Sequence, residues 1–122
     1  MSRFSELATA YPDVLFTFDT KMAAFHRQEG RLHDPVLSGR LLHIHLNDYA
    51  GTPGDFSGLA VLHLGEGNVD LAAISRDLIA MGYNGTVTLE CGCMCPDGSL
   101  VPEKMNASLA VARRLLATRG KE

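Results

Sequence analysis

LLHIHLND, residues 41–48, alternates apolar and imidazole side chains and closes on Asn47 and Asp48. Alternate residues of a strand share a face, so His43 and His45 point together while Ile44 and Leu46 point the other way. A strand of this kind, apolar on one face and polar towards its C-terminal end on the other, belongs in a sheet whose apolar side is covered by helices.

Outward from that stretch the chain repeats one pattern: strand, polar residue, loop, helix. VLFTFD (14–19) is β-branched and aromatic and follows the turn pair Pro12-Asp13, which predicts a first strand. A helical stretch follows from about Lys21 to Gln28, stopped by Gly30. After the central strand comes YAGTPGDFSGLAVLHLGEGN (49–68), far longer than the usual connection of a few residues, and long loops on compact scaffolds are generally functional. VDLAAISRDLIAMG (69–82) carries Leu71, Ile74, Leu78 and Met81 at helical spacing, with Asn68 or Asp70 to cap its start and Gly82 to end it. GTVTLE (85–90) is the third strand. The last helix is expected from Pro102, a good first-turn residue, to Arg119, with Met105, Leu109, Ala112 and Leu116 as its apolar stripe. A small opening helix, about Ser2 to Thr9, carries Phe4 and Leu7.

Strands alternating with helices predict a parallel sheet with right-handed crossovers. By parity Leu15, Thr17 and Asp19 share one face of the first strand, and Thr86, Thr88 and Glu90 one face of the third. Each strand then ends on a polar group: Asp19, His45 and Glu90. The C-terminal ends of parallel strands are where such folds build their chemistry. Two carboxylates and an imidazole suit Mn²⁺, Mg²⁺, Co²⁺ or Zn²⁺.

Each candidate has a plainer alternative. Asp19 is placed to cap the following helix, and His45 to bond a neighbouring strand as a core residue. Glu90 closes an apolar strand, where a charge is costly to bury without a partner. His43, one layer deeper, is expected as a packed, hydrogen-bonded residue that helps to orient substrate. His63 either faces substrate or lies on the loop surface. Asp48 is expected to fix the loop by accepting backbone N–H groups, and Glu66 to be a loop or capping group. His26 and His33 are expected on solvated faces.

The chain has 122 residues, room for one modest domain, with 46% hydrophobic and 20% charged residues. A net charge of −3 argues against the basic footprint that nucleic acid requires. No apolar stretch reaches the ~18 residues of a membrane span, and MSRFSELATAYPDV lacks a signal peptide's apolar core; the expected compartment is the cytoplasm. Cys91, Cys93 and Cys95, at spacing two, fit neither a disulfide framework nor a structural zinc site. Small half-buried thiols in a reducing compartment are favoured over a redox or soft-metal role.

HIHLNDYAG (43–51) and LHLGEGNVDLAAISRDLIAMGYNGTVTLE (62–90) resemble the later part of the xylose-isomerase-like TIM-barrel superfamily, which holds sugar isomerases and epimerases, inosose dehydratases and the abasic-site nucleases of the endonuclease IV type. The shared features are H-[hydrophobic]-x-D, G-E-G-x-[hydrophobic]-D, G-Y-x-G and a strand-terminal Glu, within a match running from about Val14 to Leu116. The resemblance implies a partial (β/α)₈ barrel over residues 1–122, with Asp19, His45 and Glu90 ending strands six, seven and eight as metal ligands. It implies Glu90 as acid–base and a sugar or sugar phosphate as substrate, the substrate beside which the residue reading sets His43 and His63. The family histidine three residues after the strand-six aspartate is replaced by Met22, with His26 one turn further on. The nuclease pattern in the long loop is displaced, Val61 standing where its histidine would be. Strands one to five, with a metal-binding glutamate, have no counterpart, so a gene fragment, or a sheet completed by a second copy or another partner chain, is expected. The alternatives to an isomerase or epimerase are an abasic-site nuclease and a non-catalytic binding remnant.

Overall fold

A computed structural model describes residues 3–58, 62–92 and 95–117. The chain runs through α1 (Arg3–Ala10), β1 (Phe16–Asp19), α2 (Thr20–Phe25), a 3-10 turn (Glu29–His33), α3 (Pro35–Gly39), β2 (Leu41–Leu46), a second 3-10 turn (Phe56–Gly58), α4 (Leu71–Ala80), β3 (Thr86–Leu89) and α5 (Pro102–Leu116). The strands form one parallel sheet in the order β1-β2-β3. This is the expected α/β arrangement, three strands of a barrel with their helices.

Register places the strand ends. Thr17 pairs with His43 and Asp19 with His45; His43 pairs with Thr86 and His45 with Thr88. The ladder continues one step beyond β3, where the Glu90 N–H donates to the Leu46 carbonyl at 3.0 Å. On the opposite face Phe18, Ile44 and Leu46 are buried under Ala23, Ala24 and Phe25 of α2, Leu71, Ile74 and Leu78 of α4, and Ala112 of α5. The expected stripe of α4 is therefore the one buried, with Met81 packed at its edge. Burial is one-sided: Thr17, Thr86 and Thr88, on the other face, are exposed.

Three boundaries differ from expectation. β1 starts at Phe16, because Val14 and Leu15 lie before the first β2 partner and remain exposed. α2 stops at Phe25 rather than running to Gln28. Arg27 adopts φ 55°, its N–H donates to the Ala24 carbonyl at 3.0 Å and the Gln28 N–H to Ala23 at 2.7 Å, which is a Schellman closure with arginine where glycine is usual. The segment 29–40, to which the sequence assigns no element, forms a 3-10 turn and α3, whose start is capped by Asp34 Oδ1 accepting the Val36 N–H at 2.9 Å ahead of Pro35. The expected ends at Ser2 and Arg119, together with Val61 and Cys93, lie outside the described residues; Cys91 and Cys95 are half-buried thiols.

The long loop is tied to one carboxylate. Asp48, fully buried, accepts four backbone N–H groups: Tyr49 at 2.9 Å and Val69 at 3.0 Å on Oδ1, Gly65 at 2.9 Å and Gly67 at 3.1 Å on Oδ2. Its main chain adds a bridge, the Leu62 N–H donating to the Asp48 carbonyl at 2.9 Å. Gly67 passes so close that a Cβ there would overlap Tyr49 O and Asp48 Oδ1. The role expected of Asp48 is thus the one it has. At the loop's outer end the Asp55 carboxyl is held below its ordinary range by the Ser57 hydroxyl and then the Ser57 N–H.

Two outcomes test these assignments. Asp48→Asn replaces one acceptor oxygen by a donor facing the Gly65 and Gly67 amides and is expected to cost about 3 kcal/mol in urea unfolding. Arg27→Gly removes the Cβ penalty of a left-handed residue and is expected to raise stability by about 1 kcal/mol in the same assay.

Candidate metal centre

Asp19, His45 and Glu90 meet at the C-terminal end of the sheet. Asp19 divides its two oxygens. Oδ1 caps α2 by accepting the Met22 N–H at 2.8 Å, while Oδ2 lies 3.6 Å from His45 Nδ1. Its role as a cap and its place in the cluster therefore coexist. Glu90, one level further along its strand, brings Oε2 to 3.9 Å from the same His45 Nδ1. One ligand atom from each residue lies within 4.8 Å of the other two. Three donors bonded to a single ion at about 2.0–2.2 Å stand roughly 3–4 Å apart. The observed spacing needs only a small contraction, and the mixed imidazole–carboxylate set is one that divalent ions accept. The residues fit a metal.

The cluster is half-open: the side chains of His45 and Glu90 keep 43% and 45% of their exposure, that of Asp19 24%. His43 sits one layer down, Nδ1 2.6 Å from the Thr86 hydroxyl and its ring edge-on to His45 at 5.1 Å between centroids. That is the hydrogen-bonded position expected of it.

Asn47, which the sequence reading passed over, joins the carboxylates. Fully buried, it donates through Nδ2 to Asp19 Oδ2 at 3.1 Å and to Glu90 Oε2 at 2.8 Å. Its Oδ1 accepts the Lys21 N–H at 2.7 Å and lies 2.9 Å from the Thr20 hydroxyl. Thr20 Oγ1 also exchanges hydrogen bonds with the Asn47 main chain, at 2.6 Å to its carbonyl and 2.9 Å from its N–H. The signal for Asn47 was strand parity: it continues the face of His43 and His45, past the last paired residue.

His63 is not brought to this group. It is neither on the loop surface nor beside Asp19, His45 and Glu90. Only 5% exposed, it places Nδ1 3.0 Å from Ser108 Oγ of α5, and its buried Nε2 has no hydrogen-bond partner among the described residues. The same hydroxyl accepts the Leu64 N–H at 3.3 Å, so the pair fastens the loop to α5. His26 is exposed and rests on Phe25 without joining the cluster; His33, also exposed, lies 3.2 Å from Asp77. Glu66 is an exposed loop residue.

A family model described as xylose isomerase-like TIM barrel matches residues 3–115. The chain belongs to that family, a superfamily that includes sugar isomerases and epimerases and endonuclease IV. A solved structure, that of a xylose isomerase domain protein from Alicyclobacillus acidocaldarius subsp. acidocaldarius, superposes with a TM-score of 0.68 at 21% identity, over 96% of this chain and 44% of that one. At this identity the likeness establishes the shared fold, and the chain spans less than half of that neighbour's length. No match is found among curated proteins. Among the described residues no helix is long and apolar enough to cross a membrane.

The two duties of Asp19 can be separated. Asp19→Ala is expected to lose about 1 kcal/mol of stability with the cap, whereas Asp19→Asn keeps an acceptor for the Met22 N–H and most of that stability. Thermal unfolding of the two metal-free variants beside the parent chain measures the difference.

Proposed function

We propose that this chain is the C-terminal, metal-binding portion of a divalent-metal-dependent sugar or sugar-phosphate isomerase or epimerase. The observation that carries the proposal is the convergence of Asp19 Oδ2, His45 Nδ1 and Glu90 Oε2 at the C-terminal mouth of a parallel sheet. Asp19, His45 and Glu90 would hold the cation, one of Mn²⁺, Mg²⁺, Co²⁺ or Zn²⁺. Bound there, it would supply Lewis-acid polarisation of a substrate carbonyl and charge stabilisation of the enediolate that follows.

The remaining work falls to the protein. Glu90 removes the proton beside the carbonyl and returns it to the product, acting through Oε1, because Oε2 already takes the Asn47 N–H. Its half-exposed carboxylate is open to a ligand above the sheet. His43 orients a substrate hydroxyl from the layer below. His63, enclosed against Ser108, is given a structural duty in this reading. A three-strand piece cannot close a barrel, so further strands complete the sheet in this reading. A net charge of −3 favours a small polar substrate over a nucleic-acid backbone.

Titration of the chain with Mn²⁺ by calorimetry, beside Glu90→Gln, tests the site. The expected result is one ion per chain, with at least tenfold weaker binding in the variant. Absence of binding by the parent chain, or equal binding by both, overturns the assignment. A ketose and sugar-phosphate panel run with an abasic oligonucleotide then reads the chemistry; cleavage of the oligonucleotide would replace the isomerase reading by the nuclease one.

A further inference from the structure

Two carboxylates turned towards one another within 4.8 Å repel unless something positive or hydrogen-donating stands between them. Glu90 projects from the end of a strand with its side chain 45% exposed, and an exposed glutamate held by nothing samples many rotamers. Here it is held. Among the described residues, Asn47 Nδ2 supplies the hydrogen bond to its carboxylate, at 2.8 Å, and a second N–H of the same nitrogen reaches Asp19 Oδ2 at 3.1 Å. These are the two oxygens that face His45 Nδ1.

The direction of the amide follows from its other end. Its oxygen accepts the Lys21 N–H at 2.7 Å, a backbone donor that leaves no room for an N–H in that place. The nitrogen, with both of its protons, must therefore face the carboxylates. Full burial of Asn47 and Thr20 locks this orientation.

We propose that Asn47 is the positioning residue of the metal centre: its side-chain nitrogen gives one proton to each of Asp19 and Glu90 and holds both carboxylates in ligand geometry before a cation arrives. The proposal rests on the metal-site reading for its purpose but not for its test. Asparagine suits the place because one neutral nitrogen offers two donors while its oxygen accepts from α2. A carboxylate there would add a third negative charge, and an aliphatic side chain would leave both carboxylates and the Lys21 N–H unserved.

The test has a metal-free arm and a metal arm. In the metal-free chain, ¹H–¹⁵N NMR is expected to show both Asn47 side-chain amide protons slow to exchange. Glu90→Ala is expected to shift one of the two resonances strongly and the other little. If Asn47 served only to brace α2 through its oxygen, neither resonance would respond to Glu90→Ala, and the proposal would fall. In the metal arm, Asn47→Ala is expected to weaken Mn²⁺ binding by tenfold or more in calorimetry. Asn47→Asp keeps the oxygen that serves Lys21 and Thr20 and is expected to show a larger Mn²⁺-induced rise in Tm than the parent chain, because a cation relieves the added repulsion. Unchanged affinity in Asn47→Ala together with an unchanged Tm response in Asn47→Asp overturns the proposal; should Asn47→Ala not fold, Asn47→Asp and the NMR arm decide it. A parent chain that binds no Mn²⁺ defeats the metal-site reading, and the NMR arm still decides whether Asn47 positions the two carboxylates.

Discussion

The mouth of this sheet depends on how β2 ends. Two adjacent residues, both fully enclosed, pull in opposite directions: Asn47 reaches sideways to the ends of β1 and β3, and Asp48 reaches outwards to gather the returning loop. Strand alternation makes this division possible, since neighbouring residues face opposite sides. The two residues that follow β2 are therefore where the open face of the sheet and the covering loop are fastened to the same piece of backbone.

From this point the rest of the architecture can be followed. Parallel register puts Asp19 beside His45, and the extra ladder step at Glu90 raises the second carboxylate to the level of Asn47. Helices bury only the far side of the sheet, so the near side keeps exposed polar residues. In a closed barrel that near side is the lumen; in three strands it is a half-open wall. The long loop is ordered chiefly by backbone N–H groups converging on Asp48, which accounts for a glycine at 67, where a side chain would occupy the carboxylate's own space.

Much of this was legible in the sequence because it is periodic. The β-branched and aromatic run at 16–19, the parity of His43 and His45, and the helical spacing of Leu71, Ile74 and Leu78 each report a repeating geometry. The loop role of Asp48 was legible from chemistry, an aspartate at the mouth of a glycine-rich segment. What could not be read was set by single events. The stop of α2 lies at Arg27, which accepts a left-handed conformation that glycine normally takes. α3 is too short to show a period, although Asp34-Pro35 marks its start. The burial of His63 could not be read because its partner, Ser108, is remote in sequence and known only once α5 packs against the loop. Asn47 was hidden by its surroundings: directly before Asp48 and two residues after His45, both with evident duties, it reads as turn punctuation until the two carboxylates are seen to share its nitrogen.

The divided carboxylate of Asp19 has a consequence for α2. One oxygen begins α2 and the other faces the cluster, and both belong to a single delocalised group. Whatever draws electron density towards Oδ2 makes Oδ1 a poorer acceptor, so a change at the mouth is transmitted through two bonds to the first turn of α2. α2 is only six residues long, and its first turn is held besides through Thr20 and Lys21, whose partner Asn47 belongs to the same mouth. The start of α2 and the open end of the sheet are thus fixed by one side chain, and neither can be altered at Asp19 without touching the other.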